Sequence, residues 1–114
     1  MLLNADGQLY SHPVLSDGPY ESSGYSVLKT RYTFALMHKH RVPLEPGRTI
    51  IVYDLGGTKD HHPDDLIGVG PMEYDEDRSR WIVRAQWAHF SDLDPREAEA
   101  YQVAKPNGVV ERLA

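Results

Sequence analysis

Alternation of apolar and polar positions is clearest in the second half of the chain. In "RTIIVYDL", residues 48–55, Ile50 and Val52 share one parity, and the central apolar run predicts a strand buried on both faces. "LIGVGPMEY", residues 66–74, predicts a second strand, in which Gly68 and Gly70 share a parity and leave one face bare. "RWIVRAQWAHF", residues 80–90, gives the strongest strand pattern: Trp81, Val83, Ala85 and Trp87 on one face, Arg80, Arg84 and Gln86 on the other. The polar "DEDRS", residues 75–79, joins these two strands as a hairpin loop. "LEPG", residues 44–47, is a turn with Pro46 at the second position and Gly47 at the third.

The rest of the chain is patterned less simply. Residues 1–24, rich in Gly, Ser, Pro and Asp, read as an N-terminal arm or long loop with a short strand at Gln8 to Tyr10. Residues 24–42 fit two periods: alternation groups Leu28, Tyr32, Phe34 and Leu36, whereas helical spacing groups Leu28, Tyr32, Ala35 and Leu36. Thr30, Tyr32, Thr33 and Phe34 tilt the choice towards a strand. Asp94 as N-cap, Pro95 at the first helical position and Glu97 at the third predict a helix that Lys105 and Pro106 end. "VVERL" predicts a short last strand. The expected fold is mainly β (α+β): a small antiparallel β-barrel with one C-terminal helix, forming a single domain over residues 25–114.

Composition narrows the chemistry. The chain has 114 residues, enough for one core. It has no cysteine, which removes disulfides, thiolate metal sites and cysteine nucleophiles, and a cytoplasmic location is expected. A formal net charge of −5 argues against a general nucleic-acid binder, although Arg78, Arg80 and Arg84 lie close together. No apolar run approaches the roughly 18 residues that span a bilayer, so no membrane partner is expected. "MLLNADGQLY" lacks the basic and apolar regions of a secretory signal.

Three stretches carry candidate chemistry. "HHPDD", residues 61–65, offers His61, His62, Asp64 and Asp65 as metal ligands. Adjacent side chains in an extended loop point apart, and Pro63 blocks a helix, so an exposed metal-free loop is expected there. "MHKH" is the sharper metal candidate: on a strand His38 and His40 face the same way, with Glu45 five residues on. In a helix those two histidines would fall about 200° apart. The third is the strand pair itself. A bare Gly68–Gly70 face meeting Arg80, Arg84 and Gln86, with Tyr53 as a wall, would form a hollow for a planar polar or anionic ligand. The competing account is that the glycines only let a tryptophan pack against backbone. "GVGPME" lacks the rest of a nucleotide-binding loop, and no G-x-S-x-G is present.

The spacing HxHxxxxE over residues 38–45 resembles the metal motif of cupins, which implies a metal-dependent barrel enzyme using His38, His40 and Glu45. Glu45 is followed at once by Pro46-Gly47, and no later PxGxxxH segment follows. Residues 44–74 resemble PUA-like barrels of the EVE and ASCH type. "LEPGRTIIVY" and "LIGVGPMEY", followed by "WIVRAQW", stand for the family's turn and strands, with Arg48 where the family usually has Asp. That resemblance implies a barrel that binds RNA or modified bases in an aromatic pocket. The expected function is a small non-enzymatic binding module for a nucleobase or nucleotide-like planar ligand, with no cofactor. Its partners would be nucleic acid, a nucleotide or a protein. The remaining alternative is an acidic interaction or inhibitor domain that presents Asp75 to Asp77 to a basic partner.

Overall fold

A computed structural model of the chain describes residues 1–19, 25–28, 30–54 and 65–105. These form strands β1 (Val14–Leu15), β2 (Tyr25–Val27), β3 (Thr49–Asp54), β4 (Leu66–Asp75), β5 (Arg80–Arg84) and β6 (Gln86–His89), with helices α1 (Thr30–Lys39) and α2 (Pro95–Ala104). The sheet order is β1-β3-β4-β5-β2, and β6 also pairs with β4. Among the described residues the strand pairings are antiparallel except that of β1 with β3. Over the described residues the protein is thus mainly β with two α-helices.

The expected barrel, closed or partly open, is found only in its open form. The sheet curls into a half-barrel, and its edges β1 and β2 approach one another through side chains. The hydroxyls of Ser16 and Ser26 lie 2.8 Å apart, and Ser26 Oγ also reaches the Asp17 carbonyl. Both serines are buried. Among the described residues no backbone ladder joins these two strands, so hydroxyls bridge a gap that ladder hydrogen bonds would span in a barrel.

The long strand β4 organises the rest. Its register with the following chain runs unchanged from Asp75 opposite Arg80 to Leu66 opposite His89. β5 and β6 are therefore one strand, interrupted at Ala85. Two features of β4 cause the break. Pro71 has no N–H to donate, and Gly70 lets the neighbouring backbone come unusually close. A Cβ on Gly70 would lie 1.9 Å from the Arg84 carbonyl oxygen.

Register fixes the two faces of the sheet. Gly68 pairs with Trp87, Met72 with Val83 and Tyr74 with Trp81. This face carries the first core: Ile50, Val52, Met72 and Val83, with Leu36 and Met37 from α1. Trp81 and Trp87 belong to this face as the alternation predicts, but both rings are only half-buried. The opposite face carries Ile51, Tyr53, Ile67 and Val69, and packs against Leu2 and against Tyr101 of α2.

Residues 30–39 are helical, which corrects the expected strand. Tertiary packing overrides the β preference of the threonines and aromatics. Thr33, Leu36 and Met37 form one buried stripe, and Thr33 Oγ1 donates to the Leu15 carbonyl at 2.7 Å. The helix ends in a Schellman arrangement: Val42 N–H bonds to the Met37 carbonyl and Arg41 N–H to that of His38. Arg41 occupies the left-handed position with φ 55°. No glycine marks this end, so the sequence hides it.

The N-terminus is not a free arm. Leu2 and Val14 are fully buried, Leu3 bridges Leu9 in a small hairpin, and Val14 and Leu15 add a parallel strand to β3. α2 forms as its signals predict, with Asp94 accepting from the Glu97 N–H at 2.9 Å. The Glu97 carboxylate turns away to accept from the Leu2 N–H, tying the N-terminal hairpin to the helix. The Glu45–Arg48 turn also forms, with Gly47 at φ 83°. Residues 109–113, expected as a last strand, lie outside the described residues.

Candidate functional site

The six residues expected around one hollow divide into four places. Gly70, Arg84 and Gln86 line a shallow hollow of about 280 Å³ on the α2 face of the sheet, together with Tyr10, Thr49, Val69 and Pro71. Pro71 opposite Arg84 and Val69 opposite Gln86 fix its floor, since paired residues share a face. Tyr10, half exposed, supplies an aromatic wall from the N-terminal hairpin. The Arg84 side chain is 57 % exposed and donates from Nε to Glu73 at 2.7 Å. An ion pair this open to water is worth little and leaves the guanidinium free to turn towards a ligand.

The other three residues lie elsewhere. Gly68 faces the first core, and a Cβ there would stand 2.9 Å from Ala85 Cβ and 3.0 Å from the Trp87 ring. It therefore serves tight packing of a tryptophan, the competing account of the glycines. The bare glycine face and the Arg84–Gln86 face are opposite faces of the sheet, which the parity of residues 68 and 86 alone could not decide. Arg80 sits at the hairpin end, where its Nη2 donates to the Tyr25 hydroxyl at 3.4 Å. Arg78 lies over the same ring, 5.6 Å from its centroid.

Tyr53 is buried in a polar cluster that sequence reasoning missed. Asp65 Oδ2 accepts from the Tyr101 hydroxyl at 2.7 Å and from Lys105 Nζ at 2.9 Å. The Lys105 ammonium lies 4.8 Å from the Tyr53 ring centroid and 5.8 Å from that of Tyr101. Asp65 is fully buried, which corrects its expected place in an exposed loop. Burial, and then the bond to Asp65, push the Tyr101 phenol well above its ordinary range. The cluster clamps the end of α2 to the start of β4. No signal links Asp65 to Lys105 before the fold is known, because 40 residues separate them.

The histidines do not form the candidate metal site. His38 is exposed on α1, and the helix turns it away from His40. His40 instead extends the buried stripe of α1 and stacks on His12, with ring centroids 3.4 Å apart and planes within 9°. Lone pairs of parallel rings run side by side, a poor arrangement for sharing one ion. Glu45 is exposed and accepts from Arg48 Nε at 2.9 Å. Among the described residues no group of three or more histidines and carboxylates is placed to hold a metal. His61, His62 and Asp64 lie outside the described residues.

The acidic hairpin loop is partly neutralised from within. Asp75 accepts from Arg78 Nη1 at 2.9 Å, and this bond holds its carboxyl below the usual range. Among the described residues no helix is long and apolar enough to cross a membrane. In comparisons with known proteins, no family model, no curated protein and no solved structure matches the chain. The resemblances to PUA-like barrels and to cupins rest on their own short motifs.

Proposed function

We propose that this protein is a small binding module whose ligand is a planar, polar molecule of low negative charge, such as a nucleobase or nucleoside, held in the hollow above Val69 and Pro71. The observation that carries this reading is the convergence of Gly70, Arg84 and Gln86 with Tyr10 around one concavity. The parts have distinct roles. Tyr10 offers a flat apolar face, Arg84 a planar donor fork, and Gln86 both a donor and an acceptor. Thr49 adds a hydroxyl at the rim. Glu73 beside Arg84 and the net charge of −5 disfavour a densely phosphorylated ligand.

The test is calorimetric titration with bases, nucleosides and nucleoside monophosphates, on the wild type and on Arg84→Ala and Gln86→Ala. Both side chains are exposed, so both variants should keep the wild-type melting temperature while binding at least tenfold more weakly. Failure of every compound to bind at millimolar concentration, or binding that neither substitution alters, refutes the reading.

A further inference from the structure

We propose that Asp65, Tyr53 and Tyr101 form a binding site for a primary alkylammonium group, which the side chain of Lys105 fills as a tethered internal ligand. The site shares no residue with the hollow of Arg84 and Gln86.

The site has three sides. The Tyr53 and Tyr101 rings stand at 82° to one another with centroids 6.4 Å apart, so they make two walls of a corner. Lys105 Nζ lies 4.8 Å and 5.8 Å from their centroids, within the range at which a ring face attracts a cation. The Asp65 carboxylate closes the third side and accepts from the ammonium at 2.9 Å. Asp65 is itself held by the Tyr101 hydroxyl, which donates to Oδ2 at 2.7 Å. An ammonium taken out of water needs an opposite charge, a hydrogen-bond acceptor and polarisable walls, and this corner supplies all three.

The walls and the cation come from different kinds of position. Tyr53 belongs to β3, Asp65 immediately precedes β4, and Tyr101 faces inward from α2. Lys105 is the C-cap of α2, where φ −115° and ψ 94° have already left the helix. Moving or removing its side chain therefore leaves α2 wound. The Lys105 side chain is 10 % exposed and Asp65 is fully buried, so the lysine methylenes trace a path from the surface to the carboxylate. An alkylammonium of similar length that entered along this path would meet the same contacts. The third side sets the ligand class. Asp65 accepts an N–H, which a primary ammonium offers and a quaternary one lacks, and two ring faces are too few to enclose a bulky quaternary nitrogen.

Thermal unfolding of Lys105→Ala in n-propylammonium chloride tests the site, because that cation replaces the atoms the substitution removes. Loss of the cation facing Asp65 should lower the melting temperature. Propylammonium should raise it again by about 5 °C relative to potassium chloride at equal ionic strength. Neutral 1-propanol and propyltrimethylammonium should each restore less than half as much. The wild type, and Lys105→Met with a side chain of similar length in the path, should show no such rise, and neither should Lys105→Ala/Asp65→Asn. If Lys105→Ala is unfolded at room temperature, the readout becomes recovery of its circular dichroism spectrum on addition of propylammonium. Absence of any rise or recovery specific to propylammonium overturns the proposal. So does an equal rise in the wild type, which would place the effect elsewhere on the protein. An equal response to propyltrimethylammonium overturns the assignment to a primary ammonium.

Discussion

Replacing Gly70 by Ala should be among the most damaging single-methyl changes available in this protein. The new Cβ would meet the Arg84 carbonyl oxygen at 1.9 Å, its carbon at 2.8 Å and Ala85 Cα at 3.0 Å. Ordinary carbon–oxygen contacts need about 3.3 Å. The backbone at residues 84–85 would have to retreat by more than about 1 Å, and it belongs to the strand that pairs with β4 along its whole length. Overpacking a well-filled site costs about 1–3 kcal/mol, and more where backbone must move. Reduced freedom of the unfolded chain returns only about 0.4–1 kcal/mol. A net loss of about 2–3 kcal/mol is a large share of the roughly 5–15 kcal/mol that stabilises a domain. For a chain of this length it should lower the melting temperature by about 10 °C. Gly68→Ala is the control: its contacts are the side chains of Ala85 and Trp87, so its cost should be smaller and Ala85→Gly should relieve it. Urea denaturation followed by circular dichroism measures both. A Gly70→Ala midpoint equal to that of the wild type, or no lower than that of Gly68→Ala, would refute the argument.

Two further outcomes follow from local geometry. Arg41→Gly should raise stability by about 1 kcal/mol, because glycine takes the left-handed position that ends α1 without the strain of a side chain; a lower melting temperature would show that the Arg41 side chain contributes contacts of greater worth. The Tyr101 phenol should resist ionisation: its pKa in the folded state is raised, so its stabilising contribution is complete below the ordinary value of 10.0 and declines as pH rises above it. Titration followed at 295 nm should show a tyrosine that ionises only when the chain unfolds, and Tyr101→Phe should abolish that lag.

Strand parity was readable from the sequence because it depends only on neighbours. The Trp81–Trp87 face, the Ile50–Val52 face, the Pro46–Gly47 turn and the Asp94 cap all stand where local chemistry puts them. What parity cannot give is which faces of two strands coincide. Gly68 and Gly70 share a face with Trp87 and Ala85 only because residue 68 pairs with 87, one particular register among several. A register shifted by one residue would have brought the glycines to Arg84 and Gln86. The α1 segment failed for another reason: Thr33, Leu36 and Met37 make a helical stripe, but Tyr32 and Phe34 fit a strand equally well, and Arg41 conceals the helix end. Asp65, Lys105 and the His12–His40 stack depend on contacts between distant parts of the chain, which periodicity cannot register.

The bend at Gly70 and Pro71 links the protein's inner and outer faces. Pro71 removes one ladder donor, and Gly70 admits the backbone of Arg84, so the strand opposite β4 kinks at Ala85. On the inner face the kink carries Ala85 against Gly68 and lets the Trp87 ring lie on bare backbone. On the outer face the same residues make a depression between Val69 and Arg84 where an ideal sheet would be smooth. The packing account of the glycines and the ligand-site account are therefore not exclusive. Gly68 serves the core alone, while Gly70 serves the core through its missing side chain and the hollow through the bend it permits. For this reason the hollow is properly tested at Arg84 and Gln86, which can be changed without moving the kink, and not at the glycines, where loss of binding and loss of fold would coincide.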